Sequence, residues 1–118
     1  MSVWPTAIDY DPSAKSLRVT FEGGEQVDLP AEYLRVESPS AEVQGHNPNE
    51  RVTVPGRRHV GIIDIEPVGN YAVRLTFDDL HDTGIYSWAF LHELAREYDA
   101  RWQKYLAALE AKGLSRDP

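Results

Sequence analysis

The chain has no cysteine, so the groups able to bind a metal or act as acid, base or nucleophile are four His, nineteen Asp/Glu, three Lys and the hydroxyls. That removes thiolate catalysis, disulfide frameworks, Cys-based zinc fingers and Cys-held iron–sulfur clusters. The remaining groups form no known catalytic pattern. His92-Glu93 begins the H-E-x-x-H zinc motif, but Arg96 stands where the second His belongs. The His-x-Asp start of a facial iron triad is absent as well, since His46, His59, His81 and His92 are followed two places on by Pro48, Gly61, Thr83 and Leu94. There is no G-x-S-x-G elbow, P-loop, G-x-G-x-x-G or EF-hand, and nothing marks Ser38, Ser40 or Ser87 as a nucleophile. The one mixed oxygen/nitrogen set able to take iron or manganese is His81 and Asp82 with Glu42 or His46, at a spacing that matches no recognised motif. A single loop histidine more often hydrogen-bonds its loop than ligates a metal.

The elements that must position these groups are legible from periodicity. Ser16–Phe21 puts Leu17, Val19 and Phe21 on one face, and Gln26–Leu29 alternates in the same way across the Gly23-Gly24 turn, which predicts a hairpin. Thr6–Tyr10 is a candidate third strand beside it. Residues 30–35 suit one helical turn with Pro30 at a favourable first position. Residues 36–58 read as a long polar loop, a feature more often functional or mobile than idle. Val60–Val68 and Tyr71–Phe77 predict a second hairpin about Gly69-Asn70, with Pro67 at a strand end or edge. An Asp-rich turn follows, then a helix capped by Ser87 that runs over 88–112 or breaks near Tyr98-Asp99. Glu97 and Arg101 suit an i,i+4 pair and Gly113 a C-terminal cap. The stripe Trp88, Leu91, Ala95, Tyr98, Trp102, Tyr105 and Leu109 should pack on the sheet. Its distal part, Trp102, Tyr105 and Leu109, is the candidate face for a weak homodimer; otherwise the chain is monomeric. The expected class is α+β, a small, mainly antiparallel sheet packed against a C-terminal helix, in a single domain over 1–118.

Composition narrows function further. The formal charge is −7 and falls mainly in residues 1–50, which hold nine acidic and three basic side chains. The densest basic cluster is only Arg57-Arg58, so nucleic acid is not the expected partner. No apolar run is long enough for a membrane span, and Met1–Pro5 has no basic stretch before an apolar core. A cytoplasmic protein is the expectation.

Two runs are denser in detail than folding requires: LPAEYLRVESPSAEVQGH, from Leu29 to His46, and GIIDIEPVGNYAVRLTFDDLHDTGIYSW, from Gly61 to Trp88. They resemble a small stand-alone bacterial family of unknown function that is itself similar to the N-terminal domain of γ-butyrobetaine hydroxylase. Members are also found fused to some P-loop iron–sulfur carrier proteins. The resemblance covers about residues 17–94, leaving 99–118 as a helical extension and tail. In the hydroxylases it implies a structural zinc on three Cys and one His. Laid on this chain, those positions fall on Ser38, Ser40, Val43 and His81. One imidazole out of four ligands is no zinc site, so no metal is expected and Ser38 and Ser40 should hydrogen-bond where thiolates meet metal in the relatives.

These readings favour a non-enzymatic protein-interaction or adaptor module with an unidentified protein partner, and the family association makes iron–sulfur cluster assembly or delivery its most concrete setting. The alternatives are a metal- or small-ligand-binding protein around His81, and an accessory domain of an oxygenase. The resemblance places the 36–46 loop beside the 79–86 turn. The expected docking face is therefore Ser38, Ser40, Glu42, His46, His81, Asp82 and Tyr86. Its rival is a buried staple in which Ser38, Ser40 and His81 merely hold the loop.

Overall fold

The computed structural model describes residues 4–118; the start of the chain read above for a targeting signal lies partly outside them. The α+β class, antiparallel pairing and C-terminal helix are as expected, while the strands divide into two three-stranded sheets rather than one. The first sheet holds β1 (Pro5–Asp11), β2 (Ser16–Phe21) and β3 (Gln26–Pro30) in chain order. The second holds β4 (Ile62–Val68), β5 (Ala72–Phe77) and β6 (Gly84–Ser87), again in chain order. Every pairing is antiparallel, with Leu17 opposite Leu29, Leu75 opposite Gly84 and Arg74 opposite Ile85.

Local chemistry sets the turns. Asp11 Oδ1 accepts from Ser13 N, Ser13 Oγ and Ala14 N at 2.9, 2.7 and 3.2 Å, closing β1 onto β2. Gly23 and Gly24 sit at φ 92° and 91°, the left-handed values the second hairpin turn needs. Between the sheets lie α1 (Ala31–Val36), α2 (Ala41–Gln44) and a 3-10 turn at Pro48–Glu50. The segment read as a loop over 36–58 is therefore partly helical. It is fastened by Val52 N donating to Val43 O at 2.7 Å and by buried Glu37 paired with Arg51 and Arg101.

Ser87 caps α3 (Trp88–Arg96), its Oγ accepting from Phe90 N at 3.1 Å. The helix stops at Glu97 and restarts as α4 (Tyr98–Ala111), the broken alternative of the two weighed above. At the end of α4, Gly113 N donates to Glu110 O and Leu114 N to Leu109 O, with Gly113 at φ 66°. This Schellman turn sends residues 114–118 back over the body.

The main core joins both sheets through Leu17, Val19, Phe21, Leu75 and Phe77, closed by Tyr33 and Leu34 of α1 and Leu91 and Leu94 of α3. Two buried tyrosines lock it, with Tyr33 OH donating to Leu94 O at 2.7 Å and Tyr86 OH to Leu34 O at 2.5 Å. A second core gathers Val36, Val43, Val54, Tyr105 and Leu109, with Trp102 against it. Two of the three residues named above as a candidate homodimer face therefore belong to this core. Tyr105 and Leu109 are buried against this chain's own 36–54 segment, because that segment folds back to meet α4. Among the described residues no helix is long and apolar enough to cross a membrane.

Tyr105 OH donates to Val54 O at 2.6 Å, and burial pushes its phenol up to about 12. Tyr105→Phe strands that carbonyl. Urea unfolding of the variant should show a loss of about 1–3 kcal/mol with little change in the denaturant slope.

Candidate functional site

The turn between β5 and β6 is built around Asp79. Its Oδ1 accepts from His81 N at 3.1 Å, while Oδ2 accepts from Arg35 Nε at 2.8 Å and Arg57 Nε at 2.6 Å. Burial alone would raise the Asp79 carboxyl, but the His81 N–H and the two guanidiniums hold it below its ordinary range. One carboxylate thus joins α1, the 55–59 segment and its own turn. Backbone bonds finish the fold, with Leu80 N donating to Phe77 O and Phe77 N to His81 O, both at 2.9 Å.

The turn aims His81 inward, where its side chain is only 3% exposed. Its Nδ1 lies 3.1 Å from Glu42 Oε2 and its Nε2 2.9 Å from Ser38 Oγ. A neutral ring satisfies both contacts if Nδ1–H donates to the carboxylate and Nε2 accepts the Ser38 hydroxyl proton. Burial, and secondarily the Arg35 charge, lowers the His81 pKa and favours that neutral ring against the pull of Glu42 and Asp79. Ser38 Oγ also accepts from Ser40 N at 3.2 Å, and Ser40 Oγ is 2.6 Å from Thr83 Oγ1. Ser40 caps α2 in addition, accepting from Glu42 N.

Serine to Nε2 and carboxylate to Nδ1 is the wiring of a hydrolytic triad, which needs an accessible nucleophile beside an oxyanion site. Ser38 is fully buried. A Cβ on Gly84 would come within 2.6 Å of its Oγ, so nothing larger than a hydrogen fits there. The arrangement is a polar bolt joining the 38–42 segment to the 81–84 segment.

The seven residues expected to share one docking face therefore separate. Ser38, Ser40, His81 and Tyr86 are buried, because each satisfies its polar group inside the protein, while Glu42, His46 and Asp82 are exposed. Val43 is buried in the second apolar core. The four positions where the resemblance places zinc ligands thus hold two hydroxyls already hydrogen-bonded, an imidazole with both nitrogens engaged, and an aliphatic side chain, a donor set that does not fit zinc. Of the iron or manganese alternative, His81 and Glu42 meet, and no group of three or more His, Cys, Asp or Glu able to hold a metal occurs among the described residues.

Sequence reasoning passed over Leu80. It is 77% exposed and stands at φ 71°, a conformation that bulky side chains avoid. The available signal was an apolar residue in the middle of the polar run Asp78-Asp79-Leu80-His81-Asp82. Arg35 and Arg57 were also missed, since nothing in their spacing shows that they meet at Asp79.

A model of the family described as gamma-butyrobetaine hydroxylase-like, N-terminal, matches residues 8–92. The chain belongs to that family. This gamma-butyrobetaine hydroxylase-like domain is also similar to two proteins solved by NMR in solution. One is 48% identical with a TM-score of 0.83, covering 98% of this chain and 90% of the other. The second is 46% identical with a TM-score of 0.84, covering 98% and 86%. A crystallised DUF971-family protein of unknown function from Acidithiobacillus ferrooxidans is 34% identical over 79% of this chain and 93% of its own, with a TM-score of 0.67. No curated protein matches. The family match starts at residue 8, so the first hairpin belongs to it along with the 29–88 runs.

Two outcomes test the bolt. Gly84→Ala forces a methyl into Ser38 and should destabilise the domain by about 1–3 kcal/mol in chemical denaturation. Because folding holds the imidazole pKa below its ordinary 6.5, unfolded chains take up the proton first. Stability is therefore full above pH 6.5 and declines as the pH falls below it, and His81→Gln should flatten the pH dependence of the melting temperature between about pH 7 and 5.

Proposed function

We propose that the domain is a non-enzymatic protein-interaction module that docks through the 78–83 turn and the adjoining α2. The carrying observation is Leu80, whose apolar side chain stands in solvent on a backbone conformation that disfavours it. Such strain persists only where surrounding structure enforces it, and it concentrates at functional sites. Here Asp79 and the paired backbone of Phe77, Leu80 and His81 enforce it.

Around Leu80 the turn exposes Asp78 and Asp82, and the bolt brings exposed Glu42 to its flank through His81. An apolar tip ringed by carboxylates suits a partner with an apolar socket and a basic rim. The leucine anchors and the charges steer, the usual division of labour at interfaces. The partition of the seven expected residues supports this reading: the buried ones hold the turn's shape, and Glu42 and Asp82 face outward. His46 is exposed beyond the C-terminal end of α2 and is not needed. The family's association with iron–sulfur carriers fits only an adaptor role, since the chain has no cysteine with which to hold a cluster.

Leu80→Asn tests the proposal, because Asn tolerates left-handed φ better than Leu and should leave the melting temperature unchanged or raise it. A photo-crosslinking residue at position 82 should trap one partner in the parent cell extract. Leu80→Asn should lose that band while Arg18→Ala, on the first sheet, keeps it. Retention of the band in Leu80→Asn, or the same band from a probe placed at Glu22, would refute the docking turn.

A further inference from the structure

Between α1 and α4 the chain holds one of its own arginine side chains against a carboxylate and an aromatic ring. Glu32 on α1 is buried, with its side chain 7% exposed, and its carboxylate receives a two-pronged contact from Arg116. Arg116 Nε donates to Oε2 at 2.8 Å and Nη2 to Oε1 at 2.6 Å. The same guanidinium lies 5.1 Å from the centre of the Trp102 ring on α4. A carboxylate able to take both prongs and an aromatic face for the flat cation form a pocket matched to arginine rather than lysine.

The segment that delivers Arg116 is held by little else. It lies extended along the 56–58 segment, with Gly56 N donating to Ser115 O at 2.9 Å and Arg58 N to Arg116 O at 3.0 Å. Beyond these, Asp117 makes an exposed pair with Arg58, and Leu114, Ser115, Asp117 and Pro118 are all exposed. Such a strap opens readily, since exposed pairs and solvent-facing backbone bonds hold weakly. Opening takes away the guanidinium that pairs with Glu32, and another guanidinium able to restore the two-pronged contact is favoured in its place.

We infer that the Glu32–Trp102 pocket is an arginine-reading site for an extended segment of a partner protein, with residues 114–118 as its internal occupant. The partner segment pairs its backbone with residues 56–58 and places one arginine where Arg116 now sits. A partner is favoured over the strap of a second copy because two chains of charge −7 repel, whereas an arginine-bearing segment is attracted. The inference does not depend on the docking turn, which is a different surface. Since the strap is tethered, an incoming segment competes against an effective concentration in roughly the millimolar range.

The test uses the full chain with Arg116→Ala and two probes: the acetylated, amidated peptide Leu-Ser-Arg-Asp-Pro, and the same peptide with lysine for arginine. The variant should melt well below the parent, and the arginine peptide at roughly millimolar concentration should restore the loss by mass action. The lysine peptide should restore much less. In Glu32→Gln/Arg116→Ala no charge is stranded, so that double variant should fold, melt above Arg116→Ala and ignore both peptides. If Arg116→Ala is unfolded alone, recovery of its folded spectrum with the arginine peptide is the same positive result. No restoration, equal restoration by lysine, or equal restoration of the double variant overturns the site. A parent dimer in sedimentation that Arg116→Ala abolishes overturns the partner assignment in favour of strap exchange between copies.

Discussion

Three separate stretches of chain donate to the carboxylate of Asp79, and much of what sets the molecule apart follows from that convergence. Arg35 brings α1, Arg57 brings the 55–59 segment, and the His81 N–H closes the turn itself. A partly buried carboxylate is tolerable only with such partners, and removing any of them leaves its charge less well compensated. The same arrangement dictates two opposite side-chain fates one residue apart. With the turn tightened around Asp79, His81 points into the protein toward Ser38 while Leu80 is turned out into water. Buried Arg35 Nη1 remains without a partner, so the convergence is not fully satisfied on the arginine side.

The bolt beside Asp79 occupies the place where the resemblance puts a zinc in the hydroxylases. A structural zinc can supply about 10–16 kcal/mol of apparent binding energy at one point, whereas a hydrogen bond contributes about 1 kcal/mol net. Replacing the first by the second requires many contacts, and the segment shows them. Ser38 meets His81 and Ser40, Ser40 meets Thr83, and Gln44 Nε2 donates to Ser38 O at 2.7 Å. Val43 helps to seal the second core. The two segments are thus linked by a spread of small polar and apolar contacts, to which Tyr105 of α4 adds its bond to Val54 O.

How far the sequence was readable follows from the range of the forces involved. Hairpins fixed by alternating side chains and positive-φ glycines, and the Ser87 cap, are local and were legible. The four-residue β6 was read as part of a turn, because its buried positions are Gly84, which shows no hydrophobic signal, and Tyr86, whose burial depends on Leu34 far along the chain. The 36–58 segment looked like a polar loop because Glu37, Arg51 and Thr53 are polar. Arg101 on α4 pairs with Glu37 and Lys112 at its C-terminal cap with Thr53, contacts that cannot be inferred from spacing. At the candidate site, the resemblance set the 36–46 loop beside the 79–86 turn, and Ser38–His81 and Ser40–Thr83 contacts join them. Whether Ser38, Ser40 and His81 formed an exposed face or a buried staple was not legible, since they are polar by type and lose water only once they satisfy one another.

Which contacts the molecule can offer others is constrained by its sheet edges. β1 and β4 are the longest edge strands, and an unpaired edge of seven residues invites backbone addition from another chain. Both are guarded: β1 carries Pro5, Asp9 and Asp11, and β4 carries Asp64, Glu66 and Pro67 with an irregular register between Ile62 and Asp64. Proline withholds a donor, and two copies brought edge to edge would set carboxylate against carboxylate. Indiscriminate strand addition is therefore suppressed along these two longest edges of an already acidic protein. The recognition proposed above rests instead on side chains, namely a leucine held out by a strained turn and a carboxylate and aromatic ring that fit an arginine. Each discriminates by shape and charge.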